Sequence, residues 1–249
     1  MMRWKPLVLL GLAAFLLFAV ITAPARIVVR WFAPEALQLD GVSGTIWNGR
    51  AEALAIQGGR IGAVQWKLHP LSLLTARLSA DVKVTRVDGF LQTRATAAPG
   101  GRILFEDLTG SLPLAALPRS VAPGGWRGSL HLRLAQLALE DGWPLNAEGT
   151  VELVDLEQAA RQPLAMGSYR VTFAENARSE DMLRGALADL GGPLELSGEL
   201  QLRAQDRSYL IEGLAAARPD APAQLANTLQ FLGEPDAQGR RPISLAGTL

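Results

Sequence analysis

Between Leu194 and Ala204 apolar and polar residues alternate without a break. Leu194, Leu196, Gly198, Leu200, Leu202 and Ala204 take one side; Glu195, Ser197, Glu199, Gln201 and Arg203 take the other. Only an extended strand, whose successive side chains point to opposite faces, converts that order into one apolar and one polar face. The pattern recurs. Leu78, Ala80, Val82 and Val84 alternate with Ser79, Asp81, Lys83 and Thr85. Leu130, Leu132 and Leu134 alternate with polar neighbours before the apolar parity shifts to Leu137 and Leu139, which predicts a bulge near Ala135–Gln136. Further strands are expected over Ala51–Gln57, Ile61–Leu68, Phe90–Ala97, Arg102–Asp107, Thr150–Leu156, Tyr169–Ala174 and Ser208–Ala215. An antiparallel sheet with one solvated face follows.

Two stretches read as short helices. Ser179 caps one whose Met182, Leu183, Ala186, Leu187 and Leu190 share a face, stopped by Gly191-Gly192-Pro193; the second runs from Pro222 to Leu232 with the stripe Leu225, Ala226, Leu229 and Leu232. Both stripes are expected to dock on the sheet, because burial of such a face is what stabilises a short helix. A Gly-polar-apolar triplet recurs at Gly44, Gly110, Gly128, Gly149, Gly198 and Gly247, at spacings too irregular for a solenoid. Glycines inside strands mark bends or close backbone approach, so the expected sheet is long and strongly curved.

The chain begins differently. Leu7–Ala23 is a run without charge, preceded by Arg3 and Lys5 and followed by Arg26 and Arg30. A helix of that length covers roughly 25 Å, and no face of it is polar. Two readings fit the flanks: a retained transmembrane anchor, with Trp4 and Trp31 as interfacial residues, or a signal peptide cleaved near Ala23-Pro24-Ala25. The run exceeds the usual apolar region of a signal peptide, which favours the anchor. Flanking basic residues are nearly balanced; a short tail kept inside, with the long remainder translocated, is the simpler orientation.

Composition then removes function classes. The 249 residues hold 24 Lys+Arg, 24 Asp+Glu, two His and no Cys. A neutral chain is a poor nucleic-acid binder, and the missing Cys removes thiol chemistry and Cys-ligated metals. His69 precedes a proline and His131 sits on a polar strand face, neither inside a catalytic motif; Gly41-Val42-Ser43-Gly44 lacks the spacing of a nucleophile elbow. Glu106 and Asp107 are adjacent, so in a strand they point apart. No enzyme is expected, and no cofactor. Trp47, Trp66, Trp126 and Trp143 lie in or beside strands, as core or rim residues do.

Three runs together carry a resemblance. Leu39-Asp40-Gly41-Val42-Ser43-Gly44-Thr45-Ile46-Trp47-Asn48-Gly49 resembles the G-T-[IV]-W-x-G stretch of the type II secretion system protein N family. Gly62-Ala63-Val64-Gln65-Trp66-Lys67-Leu68-His69-Pro70-Leu71-Ser72-Leu73-Leu74 is similar to its G-x-[VL]-x-W-x-[LV]-x-P-x-x-L-L run. The stretch from Leu232 to Gly247 resembles its closing L-G-x-P-D-x-x-G-R-x-P block. The resemblance implies a non-catalytic inner-membrane accessory component of the machinery that exports folded proteins across the outer membrane. Its partners would be other type II secretion components, in the inner-membrane platform or the periplasm. It also implies an AsmA-like β-groove, so the alternative function is a lipid- or hydrophobe-binding or lipid-transfer protein. The expected organisation is a cytoplasmic tail over 1–6, an anchor over 7–25, a linker over 26–35 and a periplasmic β-rich domain over 36–249. Gly44, Trp47, Trp66, Gly233, Pro235, Asp236, Gly239 and Arg240 are the candidate structural or interaction residues.

Overall fold

The computed structural model describes residues 4–32, 37–56, 59–117, 125–160, 163–175, 177–179 and 182–248. Two helices open the chain, α1 (Trp4–Ile21) and α2 (Ala25–Phe32). Strands follow: β1 (Leu37–Asp40), β2 (Ser43–Gly44), β3 (Asn48–Ile56), β4 (Gly59–His69), β5 (Leu78–Thr85), β6 (Phe90–Ala97), β7 (Arg102–Pro113), β8 (Trp126–Glu140), β9 (Trp143–Gln158) and β10 (Leu164–Phe173). The second half holds β11 (Arg178–Ser179), β12 (Met182–Gly191), β13 (Leu194–Arg203), β14 (Ser208–Ala217), α3 (Ala223–Leu229) and β15 (Arg241–Thr248). Short 3₁₀ turns span Pro70–Thr75 and Leu114–Ala116.

Among the described residues these strands form one antiparallel sheet in the order β1-β3-β4-β5-β6-β7-β8-β9-β10-β12-β13-β14-β15, with β2 beside β3 and β11 beside β12. Each main strand pairs with its sequence neighbours, so the ladder is a continuous meander with β1 and β15 at its edges. Every strand expected from alternation is present; Gln57 alone lies outside the described residues. The expected bulge also appears, as a register shift in β8 between Leu134 and Gln136 against β9. It leaves Ala135 and Gln136 exposed and returns Leu132, Leu134 and Leu137 to one packed cluster.

Three apolar clusters line one face, each drawn from strands adjacent in the ladder. Ala51, Leu54, Ile61, Val64 and Val84 form the first. Leu108, Leu134, Ala147, Phe173 and Leu183 form the second, with Leu200 and Leu202 packed against it. The third joins Tyr169, Leu187, Leu194 and Ala215 to Leu225 and Leu229 of α3, which docks as its stripe requires. The polar face carries direct cross-strand pairs, Arg94 to Asp81 at 2.9 Å and Arg170 to Glu152 at 2.7 Å, that exploit antiparallel register.

Three expectations need correction. The sheet is not strongly curled. Close approaches run almost wholly between hydrogen-bonded neighbours, and the chain exposes 16166 Å², against about 10,700 Å² for a compact monomer of 26.6 kDa. The reason is local filling. Large Leu and Val side chains of adjacent strands cover one another, α3 covers the β14 end, and Leu114 and Ala116 pack against β4 and β8. Inward residues are therefore buried without the two halves of the sheet meeting. In-strand glycines serve close approach instead: Gly198 faces Gly213 across β13 and β14, and a Cβ on either would fall about 2 Å from a carbonyl oxygen opposite.

The second correction concerns the N-terminus. Among the described residues no helix is long and apolar enough to cross a membrane. The uncharged part of α1 ends at Ile21, where Thr22 hydrogen-bonds back to the Phe18 carbonyl and Pro24 follows. A residue before proline is driven out of the helical region, so the helix stops short of the expected 7–25 span. The third lies at 179–190, where β12 replaces the expected helix. Leu183, Gly185 and Leu187 point inward while Arg184, Ala186, Ala188 and Leu190 point out. Gly185 is the reason: it disfavours a helix interior, and Val171 and Phe173 fill the space a side chain would take.

This difference is measurable. A helix would set Leu183 and Leu190 on one face, whereas in β12 the first is 2% and the second 41% exposed. Leu183→Ala should lower stability by about 2–5 kcal/mol and Leu190→Ala by less than ~1 kcal/mol in denaturant unfolding. Equal losses would restore the helix.

Candidate functional site

The first group of candidate residues converges on one joint. Gly44 and Gly49 pair across β2 and β3, and Thr45–Trp47 close the turn between them. The Thr45 N–H donates to the Asn48 carbonyl at 3.0 Å, and the Asn48 N–H donates to the Thr45 hydroxyl at 3.2 Å. Gly44 holds φ +87°, and a Cβ there would lie 2.5 Å from the Asn48 carbonyl oxygen, so only glycine closes this turn without strain. Gly49 is buried for another reason: the Trp66 ring lies over it, 2.3 Å from where a Cβ would sit.

The turn grips the helices. The last carbonyls of any helix lack intrahelical donors. Here the Trp47 indole Nε1–H donates to the Val20 carbonyl of α1 at 2.9 Å, and the Ile46 N–H donates to the Ala23 carbonyl at 3.0 Å. Pro24 bridges to Thr45, and Ala25, the first residue of α2, is buried. The Trp66 Nε1–H donates to the Ile46 carbonyl at 3.0 Å from β4 below, and the Leu68 N–H donates to the Trp47 carbonyl at 2.8 Å. Trp66 belongs to the first apolar cluster; Trp47 belongs to none. Two tryptophans close in sequence therefore do different work, one packing the sheet and one capping a helix.

Beyond the turn, His69 at the end of β4 contacts Asp81 at 2.9 Å, and Arg94 holds the other Asp81 oxygen. Burial alone would push the Asp81 carboxyl up, but hydrogen bonds from Arg94 and His69 bring it below the usual carboxylate value.

The second group folds into a closed turn before β15, at the opposite edge of the ladder. One Asp236 oxygen accepts the N–H groups of Gln238 and Arg240 at 2.9 and 2.8 Å, and the other accepts the Arg240 guanidinium at 2.9 Å. The Asp236 N–H donates to the Arg240 carbonyl, and Gly239 turns the chain at φ +80°. Arg241, which the sequence reading did not single out, donates to the carbonyls of Leu232 and Gly233. Gly233 lies under Pro242, and Pro235 precedes the turn. These side chains satisfy one another and deliver β15 into register with β14. The structure thus gathers the eight candidates into two sites, one at each end of the ladder.

Beside the first site the 3₁₀ turn Pro70–Thr75 carries exposed Leu71, Leu73 and Leu74. The Pro70-x-x-Leu73-Leu74 spacing is part of the second motif run, which gave no sign that its leucines would be exposed. Among the described residues no cluster of His, Asp and Glu could hold a metal ion.

Two outcomes test these geometries. Trp66→Ala should cost about 3 kcal/mol of stability. Trp47→Phe, which keeps a ring but loses the N–H, should cost no more than ~1.5 kcal/mol while speeding proteolysis at the 21–24 junction. Equal losses of stability would make Trp47 a core residue. At the other site, backbone and side-chain donors of Arg240 and Gln238 outweigh desolvation and hold the Asp236 carboxyl below its ordinary value of 3.8. A depressed pKa contributes stability above the ordinary value that is lost as pH falls below it. Hydrogen exchange of β15 amides, corrected for intrinsic rates, should therefore rise below about pH 4, and Asp236→Asn should abolish that dependence.

Comparison with known proteins agrees with the three motif runs. The family profile for type II secretion system (T2SS) protein N matches residues 35–244. A type II secretion system protein N from Aeromonas hydrophila is 29% identical over 96% of this chain and 96% of that protein. One from Vibrio cholerae is 28% identical over 87% and 86%, and one from Klebsiella pneumoniae 27% identical over 94% and 92%. No solved structure matches.

Proposed function

This chain belongs to the type II secretion system protein N family, and on that premise we propose that it is a membrane-anchored accessory component working through protein–protein contacts. In this reading residues 1–6 are a cytoplasmic tail and 7–25 carry the inner-membrane anchor. Residues 26–35 connect it to a periplasmic sheet over 36–249. Support for the anchor comes from α1, whose Val8, Leu10, Leu12, Phe15, Phe18, Val20 and Ile21 are each 50–68% exposed. A helix with apolar residues outward on all sides has no stable place in water. An apolar stretch shorter than the hydrocarbon core is accommodated by local thinning of the bilayer.

The observation that carries the contact reading is the free edge at β15. Its outer side is unpaired among the described residues, and its Leu245 is 58% exposed. Unpaired N–H and C=O groups along such an edge template the addition of a strand from another protein. The polar face offers less, since many of its charges are already paired across strands. A lipid groove is disfavoured because Leu200 and Leu202 already pack against the central cluster.

Site-specific photocrosslinking in intact secreting cells tests this. A crosslinker at Leu245 should capture another type II secretion component, and one at Arg133 on the polar face of β8 should not. Capture from Arg133 alone, or of phospholipid alone at Leu245, would contradict edge-mediated contact.

A further inference from the structure

We infer that the 3₁₀ turn Pro70–Thr75 is a second membrane contact, a rigid apolar wedge that seats the sheet on an anionic lipid surface beside α1. The inference rests on the proposal that α1 is embedded in the bilayer. Its first support is position. The turn begins two residues after Leu68, whose N–H binds the carbonyl of Trp47, and the Trp47 indole caps α1 at Val20. The wedge and the end of α1 are thereby fixed to the same turn from opposite sides, about one strand spacing (~5 Å) from Trp47 to β4.

The second support is what the wedge shows outward. None of its residues is buried; Leu71 is 78% and Leu74 84% exposed, and Leu73, with Leu78 at the start of β5, is about half exposed. Exposed leucines at this density have no packing role in the sheet. Apolar patches of this kind mark contact with a partner or a membrane.

Third, much of the wedge's polar surface is bonded within the turn and its flanks. The Ser72 hydroxyl donates to the His69 carbonyl at 2.7 Å and accepts the Ser79 N–H at 3.1 Å. The Ala76 and Arg77 N–H groups close onto Leu73 and Ser72, and the Thr75 hydroxyl closes onto the Ser72 carbonyl. A segment entering the apolar boundary of a bilayer needs its polar groups bonded internally, and these bonds meet that need for Ser72, Leu73 and the Thr75 hydroxyl.

Charge completes the argument and selects lipid over an apolar protein face. Beside the wedge Lys67 and Arg77 are basic, and the neighbouring Asp81 carboxylate is already held by His69 and Arg94; α2 likewise carries Arg26 and Arg30 and no acid. Two segments remote in sequence, both basic and apolar, are tied to the same Gly44–Gly49 turn. That combination is what binds a negatively charged lipid surface.

The chain has no cysteine, so single labels are unambiguous. The full chain in nanodiscs of phosphatidylethanolamine and phosphatidylglycerol carries an environment-sensitive fluorophore at one site: Phe15→Cys for α1, Leu71→Cys and Leu74→Cys for the wedge, Phe231→Cys for the far end. Labels at 71 and 74 should lose most of their emission to nitroxides near the headgroups, the label at 15 to nitroxides deep in the chains, and the label at 231 to neither. Quenching at 15 without quenching at 71 and 74 overturns the wedge and leaves the anchor standing. Absence of quenching at 15 overturns the anchor reading itself. Quenching at 231 equal to that at 74 would show unspecific collapse and also overturn the wedge. A fluorophore at Arg77→Cys should lose its quenching when Leu71→Glu and Leu74→Glu are added, and circular dichroism should be unchanged because both leucines are exposed.

Discussion

The hydrogen bond from the Trp47 indole to the Val20 carbonyl joins two parts of the molecule that share no apolar core. On one side is a helix whose exposed residues are almost wholly apolar; on the other is an extended sheet. The bond holds only because the turn from Gly44 to Gly49 closes tightly, and that turn closes only because both ends are glycine. Trp66 then roofs Gly49 and bonds Ile46, so the first strands of the sheet brace the turn from below. A short run of residues thereby fixes the direction in which the whole ladder leaves α1.

The ladder extends that fixed direction across the molecule. Each main strand is hydrogen-bonded to its neighbour in sequence, so loop closure is local throughout and no strand crosses another. With thirteen strands on the main path, the flat width would be roughly 60 Å at ~4.8 Å per strand. One edge is occupied by the joint and the other by β15, held in register by the Asp236–Arg240 turn. The end of α1 and the free edge are thus separated by the full width of the sheet. Under the proposed function, that separation suits a component that reaches from the membrane to a partner.

Much of this was legible in the sequence, and the parts that were not have physical causes. Alternation is a local signal, so Leu194–Ala204 and even the bulge at Ala135 could be read directly. Sheet curvature is not local: it depends on whether inward side chains are covered by their neighbours or by distant strands, and no window of residues records that. At 182–191 helical and strand periodicities overlapped, and Gly185 decided between them only through Val171 and Phe173 of the adjacent β10. The eight candidate residues, chosen from motifs, lie in two turn regions, one around β2–β4 and one before β15. Sequence alone did not reveal that Trp47 bonds a helix carbonyl, because its acceptor is backbone and any residue at position 20 would supply it.

The rigidity of the joint is tested most directly by electron–electron resonance between spin labels at Ile21→Cys and Gln65→Cys, both exposed sites, in the full chain held in nanodiscs. A helix end fixed by Trp47 and Ile46 to β3 and β4 gives a single narrow distance distribution. A broad or multiple distribution in the folded protein would mean that α1 swings freely about residues 22–24, and the sheet would then have no defined direction from α1.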